Sequence, residues 1–173
     1  MNNHEKIAIV LNDDREIKLE LNSEAAPLTV KHFLKLVDEK YFDGLIFHRI
    51  IKDFMIQGGG YFINDQNQLL DAKEIQPVKG EFRQNGWDNP IKHETGVISM
   101  ARTSDPNSAT GQFFICSANC PWLDGAYAAF GKTIDEESKN LVIEISNMPT
   151  GFISNEFQDF PQYDVSIKTI KRI

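Results

Sequence analysis

The chain has 173 residues, 41% of them hydrophobic and 25% charged, which is the composition of one soluble globular domain with enough apolar material for a sizeable core and excludes a disordered or fibrous chain. Its 25 acidic residues against 18 basic ones give a net charge of -7, which repels a phosphate backbone or an anionic membrane, so nucleic-acid and membrane partners are not expected. The first residues hold no apolar stretch long enough for a secretory signal, and the reading is a cytoplasmic protein. The only cysteines, Cys116 and Cys120, are too few for a disulfide scaffold and lack a second ligand pair for zinc; they read as reduced thiols in the core or a loop.

In chain order, Ile7 to Leu11 is an apolar run, Asn12 to Asp14 form a turn, and Glu16 to Leu21 alternates polar and apolar, which predicts a hairpin with one wet face. The period then changes. Val30, Phe33, Leu34 and Val37 recur at helical spacing, Pro27 suits a first turn, and Gly44 lies just beyond the polar end. Short strands are expected at Leu45 to Ile51, Phe54 to Gln57, Val97 to Ala101, Gln112 to Cys116 and Ala128 to Gly131. Alternation in the first of these puts Phe47, Arg49 and Ile51 on one side, and in the next it puts Met55 and Gln57 on a shared face. The polar, turn-rich stretch 61–90 reads as a long loop with room for one short strand, a kind of segment that often forms part of a binding site.

Thr133 with Glu136 three residues on has the pattern of a capping box, opening a second helix with Leu141, Val142 and Ile145 on one side and a stop at Met148 to Gly151. Val165 and Ile167 alternate into a closing strand, so the chain is expected to begin and end in one sheet. Many short strands and two helices suggest a barrel or sandwich. The bulky Phe, Ile and Leu at inward positions favour a filled interior over a ligand cavity.

Three blocks carry aromatic residues beside turns: Phe47 to Gly59; Ser99-Met100-Ala101 with Gly111 to Ile115; and Trp122-Leu123-Asp124-Gly125 with Phe130-Gly131-Lys132. In content, order and spacing they resemble the signature blocks of cyclophilins, the peptidyl-prolyl cis-trans isomerases, and with the first helix and the terminal strands the resemblance covers nearly the whole chain as a single domain, 1–173. It implies a mainly β fold, a closed eight-stranded antiparallel β-barrel capped by two α-helices. It implies rotation about X-Pro bonds without cofactor or metal, with Arg49, Phe54 and Gln57 as catalytic residues and Met55, Ala101, Arg102, Gln112, Phe114, Trp122, Leu123 and Tyr127 as substrate-binding residues. The expected partners are proline-containing peptides and unfolded protein clients, with cyclosporin-type inhibitors, and the expected state is a monomer. A proline-peptide binding or chaperone module with little turnover is the alternative.

Two positions depart from the common pattern. Many family members carry histidine where Tyr127 stands and asparagine where Arg102 stands, and the loop 61–90 lacks the glycine-rich motif of common eukaryotic members and looks more like bacterial ones. Other signals fail. Gly131-Lys132-Thr133 lacks the earlier glycine of a phosphate loop, since position 126 is alanine. Gly58-Gly59-Gly60 reads as tight backbone turning. His4, His32, His48 and His93 have no metal-ligand spacing; His48 is expected to support the strand carrying Arg49, and His32 to lie solvated on the polar face of the first helix.

Overall fold

The computed structural model describes residues 4–173. The opening hairpin forms as expected, β1 (Glu5–Leu11) pairing antiparallel with β2 (Glu16–Leu21), and α1 (Pro27–Asp38) follows. Then come β3 (Arg49–Ile51), β4 (Met55–Gly58), β5 (Tyr61–Ile63), β6 (Leu69–Asp71), β7 (Val97–Met100), β8 (Phe113–Cys116) and β9 (Ala129–Thr133). The chain finishes with α2 (Glu136–Ser146), β10 (Thr150–Gly151), β11 (Phe160–Pro161) and β12 (Ile167–Arg172).

Eight strands make one antiparallel sheet in the order β12-β1-β2-β9-β7-β8-β4-β3. The sheet curls until its edges meet: the backbone N–H groups of Gly44 and Phe47 donate to Ile167 and Val165, and Ile167 N–H donates to Leu45, at 2.7–2.9 Å. The first and last strands are neighbours, β1 lying between β2 and β12.

Alternation along the short strands sorts side chains between the barrel interior and its outer face. Ile50, Ile56, Ile115 and Ile98 face one another in register across β3, β4, β8 and β7, and all four belong to the main core. Phenylalanines fill the centre: Phe33 from α1 lies 4.8 Å from Phe42, 5.6 Å from Phe113 and 5.1 Å from Phe130. The interior is packed with side chains, as the bulky inward residues predict. The helices close the two ends, α1 burying Val30, Phe33, Leu34 and Val37 and α2 burying Leu141, Val142 and Ile145.

Several local expectations are corrected. The strand foreseen over residues 45–51 is regular only from Arg49, so Phe47 is not on the side of Arg49: it precedes the strand, is held by the Phe47 N–H bond to Val165, and points into the core against Phe113. The capping box at Thr133 does not form, because Thr133 remains in β9; Asp135 is the N-cap of α2 and its carboxylate accepts from Ser138 N–H at 2.7 Å. His32 is not merely solvated, since its Nε2 meets the Thr110 carbonyl at 2.6 Å and fastens α1 to the turn before β8.

The stretch 61–90 contains two strands rather than one, β5 and β6 forming a hairpin. Its later part is stapled to the barrel. Glu81, only 1% exposed, accepts from Thr29 N–H and Thr29 Oγ–H, both at 2.7 Å, and so places a carboxylate at the N-terminus of α1, where free N–H groups and the helix dipole favour it. Trp87 Nε1–H donates to the Ala25 carbonyl and Asn89 to those of Glu81 and Ala129. Cys116 and Cys120 are both free and buried, in line with the reading as core thiols. No helix among the described residues is long and apolar enough to cross a membrane.

Candidate functional site

The register that puts four isoleucines inside puts Arg49, Gln57, Phe114 and Ser99 in a row on the outer face of the same strands. One step along, Ile51, Met55 and Cys116 form a second row. Met55, Phe114, Cys116, Cys120 and Leu123 bury one another as a small apolar cluster outside the barrel, with Ile51, Phe54, Ala101 and Tyr127 packed on its margin. The site stands on this second core.

A cavity of about 160 Å³ opens above it, lined by Arg49, Phe54, Met55, Gln57, Ala101, Arg102, Phe114, Leu123 and Tyr127. Nine of the eleven residues expected at the site therefore share one wall. Gln112 is not part of that lining but is tied to it, its Oε1 accepting from Gln57 Nε2 at 2.9 Å. Trp122 stands outside it at the rim, 63% exposed, with its ring 5.8 Å from that of Phe54.

Arg49 reaches over the apolar floor from β3 and Nη1 donates to Gln57 Oε1 at 3.2 Å, so Gln112, Gln57 and Arg49 form a chain that fixes the guanidinium from one side. No ion pair holds it among the described residues, which leaves most of its five N–H donors uncommitted. Burial, helped by the charge of Arg49 next to it in the chain, pushes His48 down to about 4, so this imidazole is neutral at ordinary pH. The turn after β4 needs Gly59, which has φ of 91° and lies against the backbone of Gly111; Tyr41 Oη–H caps its carbonyl at 2.7 Å. Tight turning is what the glycine run does here.

Arg102 plays a part that its sequence context did not announce. Its Nε and Nη2 donate to the Ala126 carbonyl, at 3.1 and 2.6 Å, and its guanidinium lies between the rings of Phe82 and Tyr127, 4.9 and 4.6 Å from their centroids. It ties the loop holding Phe82 to the loop holding Tyr127 across one end of the cavity.

Three supporting residues were missed as a set. His93, 1% exposed, stacks on Phe114 with centroids 6.0 Å apart; its Nδ1 meets Asp124 Oδ1 at 3.0 Å and its Nε2 meets Ser99 Oγ at 2.9 Å. Burial lowers its pKa despite the Asp124 carboxylate, so the ring is neutral, donating from Nδ1–H to Asp124 and accepting the Ser99 hydroxyl. The order Ser-His-Asp matches a hydrolytic triad, yet Ser99 is fully buried and can reach no substrate. The signal available in sequence was a serine inside the apolar run Val97 to Met100.

The site is thus a charged donor beside a small apolar cavity on the outer face of a barrel. The cyclophilin type peptidyl-prolyl cis-trans isomerase/CLD family matches residues 6–172, and the chain belongs to that family. It is 40% identical over 163 residues to the peptidyl-prolyl cis-trans isomerase cyp18 of Streptomyces antibioticus, covering 90% of this chain and 91% of that protein. It is 37% identical over 160 residues to a peptidyl-prolyl cis-trans isomerase of Acinetobacter baylyi, covering 90% and 79%. Among solved structures, a Cryptosporidium parvum cyclophilin type isomerase crystallised in the presence of the dipeptide Ala-Pro superposes with a TM-score of 0.75 at 29% identity, over 97% of this chain and 98% of that one. The chain is thus an isomerase with a cyclophilin fold.

Proposed function

We propose that Arg49 is the electrostatic catalyst of X-Pro isomerisation in this single-domain protein and that Phe54, Met55, Phe114 and Leu123 grip the proline ring. Rotation about the bond must break amide resonance, a barrier of about 18 to 20 kcal/mol, and no bond is made or cut. The protein needs only to bind the twisted amide more tightly than the planar one. In the planar form the nitrogen lone pair is delocalised and accepts poorly; twisting localises it, and Arg49 can then donate to it. An always-charged, planar donor suits that task.

The observation that carries this reading is the uncommitted Arg49 guanidinium beside the 160 Å³ apolar cavity. Gln57 and the backbone near Arg102 hold the segment that rotates, Gln112 and Ala101 shape the groove, and Trp122 with Tyr127 forms the rim. The clients are flexible or unfolded chains in the cytoplasm, the protein acts as a monomer in assisting folding, and a cyclosporin-type ring competes for the same groove.

Exchange spectroscopy on a short peptide containing Ala-Pro tests the assignment. A charge-assisted hydrogen bond is worth about 1.5 to 3 kcal/mol, so Arg49→Ala is expected to lower kcat/KM about 10- to 100-fold with an unchanged circular dichroism spectrum. Wild-type protein that binds the peptide, releases it to saturating cyclosporin and yet leaves exchange at its uncatalysed rate would make the groove a binding module instead.

A further inference from the structure

A second cavity, of about 370 Å³, lies on the opposite flank of Arg49 and Gln57. His48 and Tyr61 line it from the barrel side and the segment 155–159, between β10 and β11, forms its outer wall. That wall is anchored rather than draped. Ile50 N–H donates to the Asp159 carbonyl at 3.1 Å, Ile153 N–H donates to the Phe157 carbonyl at 2.9 Å and Phe157 N–H to the Ser154 carbonyl at 3.0 Å, and the Phe157 ring stands edge-on to Tyr61 at 5.0 Å.

The chemistry of this cavity is that of a cation receptor. Glu156 and Asp159 bring two acidic residues to its lining; Glu156 Oε1 accepts from Tyr61 Oη–H at 3.4 Å, and neither residue takes part in an ion pair among the described residues. The negative potential is felt next door, where Glu156 and Asp71 add to burial in raising the Tyr61 phenol. His48, 6% exposed, contributes a buried Nδ1 that meets no hydrogen-bond partner, in a ring that stays neutral and so does not repel a cation. Asn155 and Gln158 add amide oxygens, and the faces of Tyr61 and Phe157 suit an alkyl stem ending in a positive head. The one positive group, Arg49, is turned to Gln57.

We infer that this cavity is a subsite for a lysine or arginine side chain of the client, placed within a few residues of the proline that occupies the first cavity. The inference rests on the reading of the Arg49 groove as the proline site: because both cavities share Arg49 and Gln57, an extended peptide advancing about 3.3 to 3.6 Å per residue spans the two within a few positions. The subsite selects sequence context and leaves the rotation itself to the first cavity.

A set of alanine heptapeptides with a central proline, carrying lysine, glutamine or glutamate at each flanking position in turn, decides it. At one position lysine is expected to raise kcat/KM and lower Kd about three- to tenfold relative to glutamine, in the range of one or two partly exposed ion pairs, with the gain fading as ionic strength rises to about 0.3 M. Glu156→Gln with Asp159→Asn is expected to abolish the gain and leave the all-alanine peptide unaffected, and Glu156→Lys to shift preference towards glutamate. A lysine advantage below about twofold at every position, or one that survives the double substitution, overturns the subsite. Kd values read from the amide shifts of residues 155–159 test it even if no exchange is accelerated, an outcome that would count against the isomerase mechanism alone.

Discussion

Behind the ring of Phe114, the buried hydroxyl of Ser99 and the buried imidazole of His93 are satisfied in a chain that ends on the half-buried carboxylate of Asp124. A buried polar group deprived of its partner costs about 1 to 3 kcal/mol, so such a set is kept only where its geometry matters. Here Asp124 also accepts from His93 N–H at 2.6 Å, and Cys120 N–H donates to the His93 carbonyl at 2.7 Å, which fixes the short turn Pro121–Leu123 against the cavity floor. His93→Leu removes both side-chain bonds while filling similar space. The expected result is a loss of about 1 to 3 kcal/mol in urea unfolding, with a raised KM for proline peptides and little change in kcat, since the floor shifts and Arg49 does not. An unchanged KM at that lowered stability would show the three residues to be structural only.

At the scale of elements, the outer-face residues were legible because strand alternation and the aromatic blocks point the same way: Gln57 and Phe114 fall opposite each other as an unbroken period of two requires. What was not legible was anything set by a long-range hydrogen bond. Phe47 follows the same period on paper and leaves it because Val165 captures its N–H from across the barrel. Glu81 lies in an apparently loose stretch and is buried because α1 opens with Ala26 and Pro27, neither of which has a side chain able to cap it. The capping pattern at Thr133 gives way to Asp135 because β9 must extend through Thr133 to pair with Leu19. Asp135→Ala is accordingly expected to cost about 1 kcal/mol in thermal or urea unfolding, with Thr133→Ala costing less; the reverse order would restore the capping box.

For the molecule as a whole, the clearest environmental dependence is acid sensitivity. His48 titrates near 6.5 when unfolded and is held down to about 4 in the fold, so below pH 6.5 the unfolded chain binds a proton that the native one refuses. Stability from this residue is intact above pH 6.5 and is lost as pH falls towards 4, by on the order of 3 kcal/mol in full, and the lowered pKa of His93 works in the same direction. Urea midpoints between pH 7 and about 5, above the range where carboxylates dominate, are expected to decline for the wild type and to flatten in His48→Gln. Equal slopes in the two proteins would mean that His48 is not protected from protons in the native state.

The pairing of β1 with β12 brings residues near the two ends of the chain side by side, so every strand between them is enclosed within one loop of sequence. During synthesis the hairpin of β1 and β2 leaves the ribosome long before its other neighbour exists. Its outer edge, with Ile7 and Ile9 meant for the core, stays open until residues 167–172 are free to dock. A chain of this topology is therefore exposed, until β12 can dock, to the kind of edge-to-edge misassociation that nascent chains risk.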